Sequence, residues 1–197
     1  MQTHSLILTH SASSKDIKGT VYHNFRFHEG RSSLPLSLIR SHYNPFIFKN
    51  ISLPGWEMGI CIPPIQNKTE DEEKVFFDKN CPIGQEAVEN ILYESVYGIS
   101  SSLLENDFNT FCKSVDSIQE TKWKSLERDL YGDELKMIEL IIKKAGAKCV
   151  GMSSLGPLLY FFGEDVDSIA NRVNADLAGG KCFKTSFNNS GRILEYD

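Results

Sequence analysis

Residues 149–163, "CVGMSSLGPLLYFFG", decide the fold of this chain. Two short apolar runs, 148–152 and 157–162, flank the segment Ser153-Ser154-Leu155-Gly156, and this spacing predicts a β-hairpin with a tight loop. Two glycines, two hydroxyls and a proline are more than a turn requires. Glycine lets a ligand approach the main chain and hydroxyl groups donate hydrogen bonds, so the loop can present donors to an anion. A hairpin whose small residues only satisfy packing is the alternative.

The elements around the hairpin are predicted from hydrophobic periodicity. "PGWEMGICIPP" predicts a strand that ends at two prolines, and "NKTEDEEK" predicts a charged turn open to solvent. Three amphipathic helices follow, over about 88–103, 105–118 and 133–145. After the hairpin, Glu164 and Asp165 start a helix, and "KCFKTSF" is the last strand.

The resulting element order is β, three helices, β, β, α, β. This is an α+β plan, the ferredoxin-like β-α-β-β-α-β sandwich with extra helices, with an antiparallel sheet covered by helices on one face. Residues 45–197 make up this domain, whereas residues 1–44 lack a sustained period and are assigned to an irregular arm or the remnant of an N-terminal domain.

Composition excludes several classes of protein. A net charge of -5 provides no basic field for nucleic acid. No signal peptide or membrane-length apolar run occurs, which predicts a cytoplasmic location without a membrane partner. The five cysteines and five histidines show no metal-site spacing, so we predict reduced, mostly buried thiols, surface histidines and no metal site, and a fold that needs neither metal nor disulfide.

A family resemblance adds to this interpretation. The segment "AGAKCVGMSSLGPLLYFFGED" resembles the third, glycine-rich motif of the GHMP kinase superfamily, in the form G-x-S-S-x-G-P-x-x-Y carried by the archaeal beta-ribofuranosylaminobenzene 5'-phosphate synthases. Leu155 stands where that motif has an aromatic residue. "LPGWEMGICIPP", "EDEEKVFF", "LLENDFNTFCKSVDSIQ" and "FNNSGRI" match further, from Pro45 to the C-terminus. Family members also carry an N-terminal Gly-Ser phosphate loop, which residues 1–44 lack.

The resemblance implies a GHMP kinase C-terminal domain and a pentosyl transfer. Phosphoribosyl pyrophosphate would join its anomeric carbon to 4-hydroxybenzoate or 4-aminobenzoate, with loss of pyrophosphate and carbon dioxide, in the biosynthesis of a methanopterin-type cofactor. The only cofactor expected is Mg²⁺ that accompanies phosphoribosyl pyrophosphate. A non-catalytic domain that binds a ligand or partner is the alternative, and a small-molecule kinase is a third that the absent phosphate loop disfavours.

The candidate site consists of the hairpin loop and a segment near the C-terminus. Both are rich in groups that donate hydrogen bonds to oxyanions. The predicted phosphate-binding residues are Gly151, Ser153, Ser154, Gly156, Asn188, Asn189 and Arg192. No catalytic residue is assigned. We also expect a homo-oligomer or a companion chain with the missing phosphate loop, and Trp123 and Tyr131 are the candidate contacts of that association.

Overall fold

The computed structural model describes residues 52–187 with their side chains, and before them the backbone of three short strands. These strands are β1 (Asn24–Arg26), β2 (Leu36–Ile39) and β3 (Ile47–Ile51), and they pair antiparallel in the order β1-β2-β3. The first two fall in the stretch that the sequence assigns to an irregular arm.

A second, four-stranded sheet contains the hairpin. Its strands are β4 (Glu57–Ile62), β5 (Cys149–Met152), β6 (Leu159–Phe162) and β7 (Lys181–Ser186), in the order β5-β6-β4-β7 with every neighbouring pair antiparallel. The second and third strands in the chain form the hairpin, and the first lies between the third and the fourth. This is the strand order of the split β-α-β-β-α-β plan, so the predicted fold class is confirmed.

Helices fill two of the three connections of this sheet, from β4 to β5 and from β6 to β7. They are α1 (Glu70–Asn80), α2 (Gln85–Tyr93), α3 (Ser101–Glu105), α4 (Phe108–Gln119), α5 (Lys122–Asp129), α6 (Gly132–Lys144) and α7 (Val166–Asp176). A π-helical segment, Glu94–Ser100, joins α2 to α3, so these three pieces form the first predicted helix. The predicted helices that correspond to α4, α6 and α7 are also present, whereas α1 and α5 were not predicted.

The charged segment "NKTEDEEK" starts a helix, and its prediction as a turn was wrong. The Thr69 hydroxyl accepts a hydrogen bond from the Glu72 N–H at 3.3 Å, and the Glu72 carboxylate accepts one from the Thr69 N–H at 2.8 Å. This reciprocal capping box satisfies two free amides, and the four acidic residues of the first turn suit the positive end of the helix. Phe76 anchors α1 in the core.

Both faces of the four-stranded sheet are covered, so the predicted covering of one face was wrong. On one face, residues of the strands pack with the buried sides of α6 and α7, and the strand residues are Cys61, Val150, Met152, Leu159, Phe161 and Cys182. On the other face they pack with α4 and with Ile99 and Leu103, and the strand residues are Met58, Ile60, Cys149, Tyr160 and Phe162. Strands β5 and β6 are therefore buried on both faces of the sheet, which explains why their residues are entirely apolar or small.

Two glycines of the sheet make room for neighbouring aromatic rings. A methyl group on Gly59 would lie 2.0 Å from the Phe161 ring, and one on Gly151 would lie 2.3 Å from the ring and hydroxyl of Tyr160. The glycine and the ring of each pair are cross-strand partners, Gly59 with Phe161 and Gly151 with Tyr160. Gly151 thus has a packing reason for its lack of a side chain.

All five cysteines are free thiols, and four of them are buried, which confirms the prediction for their state. Within residues 52–187 and the three short strands, no helix combines the length and the apolar character that a membrane crossing demands.

Candidate functional site

The loop between β5 and β6 is a tightly bonded turn. The Ser153 N–H donates to the Leu158 carbonyl at 2.9 Å, and the Gly156 N–H donates to the Ser153 carbonyl at 2.8 Å. Ser154 has φ +48° and Gly156 has φ +85°, and the Gly156–Pro157 peptide bond is cis. Glycine is required at position 156 because a methyl group there would also lie 2.5 Å from the Met152 sulfur. The loop conformation is fixed by its sequence.

A buried lysine binds the loop through its backbone carbonyl groups. Lys124 of α5 donates from its Nζ to the Ser154 carbonyl at 2.8 Å and to the Met152 carbonyl at 3.4 Å. The same Nζ forms an ion pair with Glu127 Oε2 at 2.6 Å, and the two side chains are only 5% and 2% exposed. A charged pair that is buried to this degree persists only where its remaining hydrogen bonds are satisfied, and here the loop carbonyl groups accept them.

The Lys124 contact sets the direction of one loop amide. In a planar trans peptide the C=O and N–H groups point in opposite directions. Because the Ser154 carbonyl points at Lys124, the N–H of Leu155 points away from it. Among the residues that the structure describes, none accepts a hydrogen bond from the N–H of Ser154 or Leu155. These two amides and the half-buried Ser154 hydroxyl group are the donors that the loop offers to a ligand.

Further contacts hold the loop and its strand in place. Gln119, at the end of α4, accepts a hydrogen bond from the Met152 N–H at 3.2 Å through its side-chain oxygen, so it covers part of the outer edge of β5. Leu155 is buried in a cluster with Phe76 and Trp123. Burial raises the pKa of Tyr160 well above its usual value of 10.0, and a hydrogen bond with Gln119 acts in the opposite direction.

The two aromatic residues proposed for association do not lie on a surface. Trp123 is 2% exposed, and its ring centroid lies 5.3 Å from that of Phe76. Tyr131 is 9% exposed, and burial raises its pKa to about 12. The prediction that these two rings form the association surface was therefore wrong, while the association itself stays a prediction.

The predicted site residues fall into three groups. Ser153, Ser154 and Gly156 lie together in the loop, whereas Gly151 lies inside β5 against Tyr160. Asn188, Asn189 and Arg192 lie outside the described residues.

The register of the sheet locates the strand that precedes this last group. β7 ends with Ser186 opposite Glu57, while the loop adjoins the other end of β4, where Leu159 pairs with Cys61. The two ends are separated by the length of β4, about 16 Å. The described strands therefore do not by themselves bring the two segments together, and the joint site stays a prediction.

A second group of polar residues lines a cavity of about 240 Å³ beside the edge strand β5. Its lining residues come from α4, α5, α6 and β5 and are Asp116, Gln119, Glu120, Arg128, Lys136, Glu139, Lys143 and Val150. Lys143 lies 3.3 Å from Asp116 and Arg128 lies 3.8 Å from Glu139, so opposite charges face each other. Burial raises the pKa of Glu139, and the nearby cations only partly offset this effect.

Sequence reasoning missed Gln119, Lys124 and Glu127. Lys124 and Glu127 are three residues apart on one helix, a spacing that is typical of solvent-exposed ion pairs. Nothing in the sequence distinguishes this buried pair from an exposed one.

No group of three or more His, Cys, Asp or Glu side chains among the described residues is arranged to hold a metal ion. The five histidines lie outside residues 52–187.

Solved structures with the same architecture identify the fold. The chain superposes on homoserine kinase from Cytophaga hutchinsonii with a TM-score of 0.62 at 17% identity, covering 81% of this chain and 50% of that one. It superposes on the mevalonate kinase of L. major with a TM-score of 0.61 at 15% identity, covering 80% and 50%. The fold is that of the GHMP kinases.

Sequence comparison identifies the branch of that superfamily. No protein-family model matches the chain. It is 32% identical over 133 residues to the beta-ribofuranosylphenol 5'-phosphate synthase of Archaeoglobus fulgidus, which covers 67% of this chain and 40% of the relative. With the synthase of Methanothermobacter thermautotrophicus it shares 29% over 163 residues, 82% of this chain and 50% of the relative. The chain belongs to this synthase family, as its motifs indicated, and corresponds to the C-terminal portion. It spans about half the length of these relatives.

Proposed function

We propose that this chain takes part in the synthesis of a beta-ribofuranosylphenol 5'-phosphate, as a synthase or as one of its subunits. In this reaction the bond from the anomeric carbon of phosphoribosyl pyrophosphate to pyrophosphate breaks. A bond forms from that carbon to the ring carbon of 4-hydroxybenzoate that loses its carboxylate as carbon dioxide. The relatives are named for a phenol product, which favours 4-hydroxybenzoate over 4-aminobenzoate.

The observation that carries the proposal is the ordered loop above the Lys124–Glu127 pair. The positive φ angles of Ser154 and Gly156 and the buried Lys124 hold the Leu155 amide in one direction before any ligand arrives. Donors that are already oriented stabilise charge without the cost of reorganisation, which is what a phosphate or a departing pyrophosphate requires. In the proposal, the Ser154 and Leu155 amides and the Ser154 hydroxyl group bind phosphate oxygens, and Lys124 positions them without contact to the ligand.

The remainder of such an active site would come from outside the described residues. Two further elements are needed, a cation for the pyrophosphate charge and a dry slot for the aromatic ring. We propose that Mg²⁺ enters with phosphoribosyl pyrophosphate, and that a second copy of the chain or a companion chain with a Gly-Ser phosphate loop completes the site.

A non-catalytic domain that binds a ligand or partner is the second candidate. The same loop serves both functions, because anion binding needs only its donors, whereas turnover needs the rest of the site. A small-molecule kinase has less support, since the kinases superpose at 15% and 17% identity, which indicates a shared fold alone.

Calorimetric titration of phosphoribosyl pyrophosphate with Mg²⁺ tests the proposed loop site. The variants are Ser154→Gly and Arg192→Ala, and Ser154→Gly is a sharp probe because glycine adopts a φ of +48° readily, so the change removes the hydroxymethyl group without straining the backbone. Loss of one hydrogen bond to a charged ligand costs about 1.5–3 kcal/mol, so we expect affinity to fall about 10- to 150-fold. Unchanged affinity in Ser154→Gly would contradict a role for this hydroxyl.

Turnover separates the two candidate functions. We expect the full chain, mixed with the companion that co-purifies with it, to release pyrophosphate and carbon dioxide from phosphoribosyl pyrophosphate and 4-hydroxybenzoate. Binding without product in every such mixture would favour the non-catalytic domain. Absence of binding by the wild-type chain with Mg²⁺ and companion present would leave the loop as a structural hairpin.

A further inference from the structure

Four of the five cysteines occur as two neighbouring pairs on opposite faces of the sheet. Cys61 and Cys182 belong to the cluster with α6 and α7, and Cys112 and Cys149 belong to the cluster with α4. In each pair the two thiol side chains interact with one another. Cys81 packs in a third cluster. The proposed phosphoribosyl transfer uses none of these thiols.

Cys61 and Cys182 have a backbone arrangement that suits a covalent link. They are direct cross-strand partners in β4 and β7. The Cys182 N–H donates to the Asn174 side-chain oxygen at 2.7 Å, and the Cys182 carbonyl accepts from the Asn174 side-chain nitrogen at 2.8 Å. A strand residue directs both backbone groups to the same side, so Cys182 directs neither at Cys61, and the two form a non-hydrogen-bonded pair.

Non-hydrogen-bonded pairs bring side chains closest together. In such pairs the Cα atoms are about 4.5 Å apart, which falls within the range of about 4.4–6.8 Å that disulfides span. Both side chains lie on the same face of the sheet, as cross-strand partners must. A bond between the two sulfur atoms therefore requires no rearrangement of β4 or β7.

We propose that Cys61 and Cys182 are a modification site, a dithiol that closes to a disulfide between β4 and β7 on reaction with a small-molecule disulfide such as oxidised glutathione. Cys182 lies near the start of an edge strand, where local opening reaches it first. Its thiolate attacks one glutathione sulfur and releases the first reduced glutathione. The Cys61 sulfur then attacks Cys182 and releases the second. The two protein sulfurs are oxidised, and the two thiol protons leave on the two glutathiones.

Disulfide closure between Cys61 and Cys182 is slow at neutral pH. The hydrogen bond with Cys182, together with burial, raises the pKa of Cys61 far above its usual value of 9.0, so the resting Cys61 thiol is protonated. Only thiolates attack disulfides, which makes closure faster at alkaline pH and insensitive to brief exposure to oxidant. The bond would close a loop of about 120 residues, and we expect it to raise the melting temperature by about 5–15 °C.

Peptide mapping of the full wild-type chain tests this proposal without any substitution. The chain is incubated with oxidised glutathione at pH 8.5, remaining thiols are blocked, and trypsin is added without reductant. Cleavage after lysine places Cys61 in peptide 50–68 and Cys182 in peptide 182–184. We expect these two peptides to be linked, with the intact mass lowered by two hydrogens and restored by dithiothreitol.

Three variants serve as controls. Cys81→Ala should form the same linked peptide and show the same rise in melting temperature. Cys61→Ala and Cys182→Ala should each lose both, and Cys61→Ala should stop at the glutathione adduct of Cys182. Two outcomes would overturn the proposal. One is linkage of Cys182 to any other cysteine. The other is a wild-type chain in which Cys81 reacts while Cys61 and Cys182 stay reduced after prolonged incubation with oxidised glutathione.

Discussion

Substitution of Lys124 by methionine gives the sharpest test of how the loop is held. The change keeps the length of the side chain and removes its charge. The Glu127 side chain, which is only 2% exposed, loses its cation. The Ser154 and Met152 carbonyl groups lose the donor of their hydrogen bonds. Removal of one partner of a buried ion pair costs about 3–5 kcal/mol, and an acceptor left without a donor adds about 1–3 kcal/mol.

These terms predict the outcome of a double-mutant cycle. We expect Lys124→Met to lower the free energy of unfolding by about 4–8 kcal/mol, a large share of the 5–15 kcal/mol typical of a domain. The double variant Lys124→Met/Glu127→Leu removes both charges. Replacement of a buried ion pair by an apolar pair of similar size changes the free energy of unfolding little. Only the cost of the carbonyl groups left without a donor, about 1–3 kcal/mol, should remain. Glu127→Leu alone should cost about 3 kcal/mol, because Lys124 keeps its carbonyl partners.

Urea unfolding followed by tryptophan fluorescence measures all four corners of the cycle. Trp123 is adjacent to Lys124 and buried against Phe76, so its emission reports on this region directly. Lys136→Met is the matched control, since Lys136 pairs with Asp129 at 2.8 Å but both side chains are about half exposed, and we expect little change in its midpoint. Additive costs for the two single variants, or a loss below about 1 kcal/mol in Lys124→Met, would refute the reasoning.

Three further predictions concern packing, charge and ionisation. Gly151→Ala should destabilise the fold by about 1–3 kcal/mol because its methyl group would lie 2.3 Å from Tyr160, whereas Gly55→Ala, with nothing within 4 Å, should change little; equal urea midpoints would contradict this. Glu139 has a raised folded-state pKa, so its contribution to stability is lost as pH rises from about 4.5 through that pKa. Wild type should therefore weaken relative to Glu139→Gln across this window and not above it; a pH-independent difference would count against the assignment. For Tyr131, whose pKa is raised to about 12, the difference spectrum against Tyr131→Phe should show ionisation near pH 12, and an ionisation near pH 10 would mean that the ring is solvated.

The sequence predicted those parts of the fold whose residues follow the hydrophobic period. The faces of α4, α6 and α7 repeat apolar residues every three or four positions, and the hairpin runs are continuous, so these elements were found. At the start of α4, the Asp107 side chain accepts a hydrogen bond from the Thr110 N–H at 3.0 Å, a role in which aspartate is common.

The missed elements break that period for physical reasons. α5 buries Lys124 and Glu127 beside Trp123, so its buried face has the composition of a solvent-exposed one. α1 begins with four acidic residues that bias the segment towards a solvated turn, although Thr69 and Glu72 form a recognisable capping box. The sequence also did not predict that helices cover both faces of the sheet, because a strand that is apolar on both faces shows no alternation of apolar and polar residues.

The Lys124 cycle also separates positioning of the loop from simple stability, when it is measured as affinity for phosphoribosyl pyrophosphate with Mg²⁺. In Lys124→Met/Glu127→Leu most of the stability should return, but the Ser154 carbonyl still lacks its donor, so nothing holds the Leu155 amide in its direction. Stability that recovers without affinity would show that the direction of this amide determines phosphate binding. Affinity that recovers together with stability would show that Lys124 only supports the fold, and the phosphate site would then have to be sought away from the Leu155 amide.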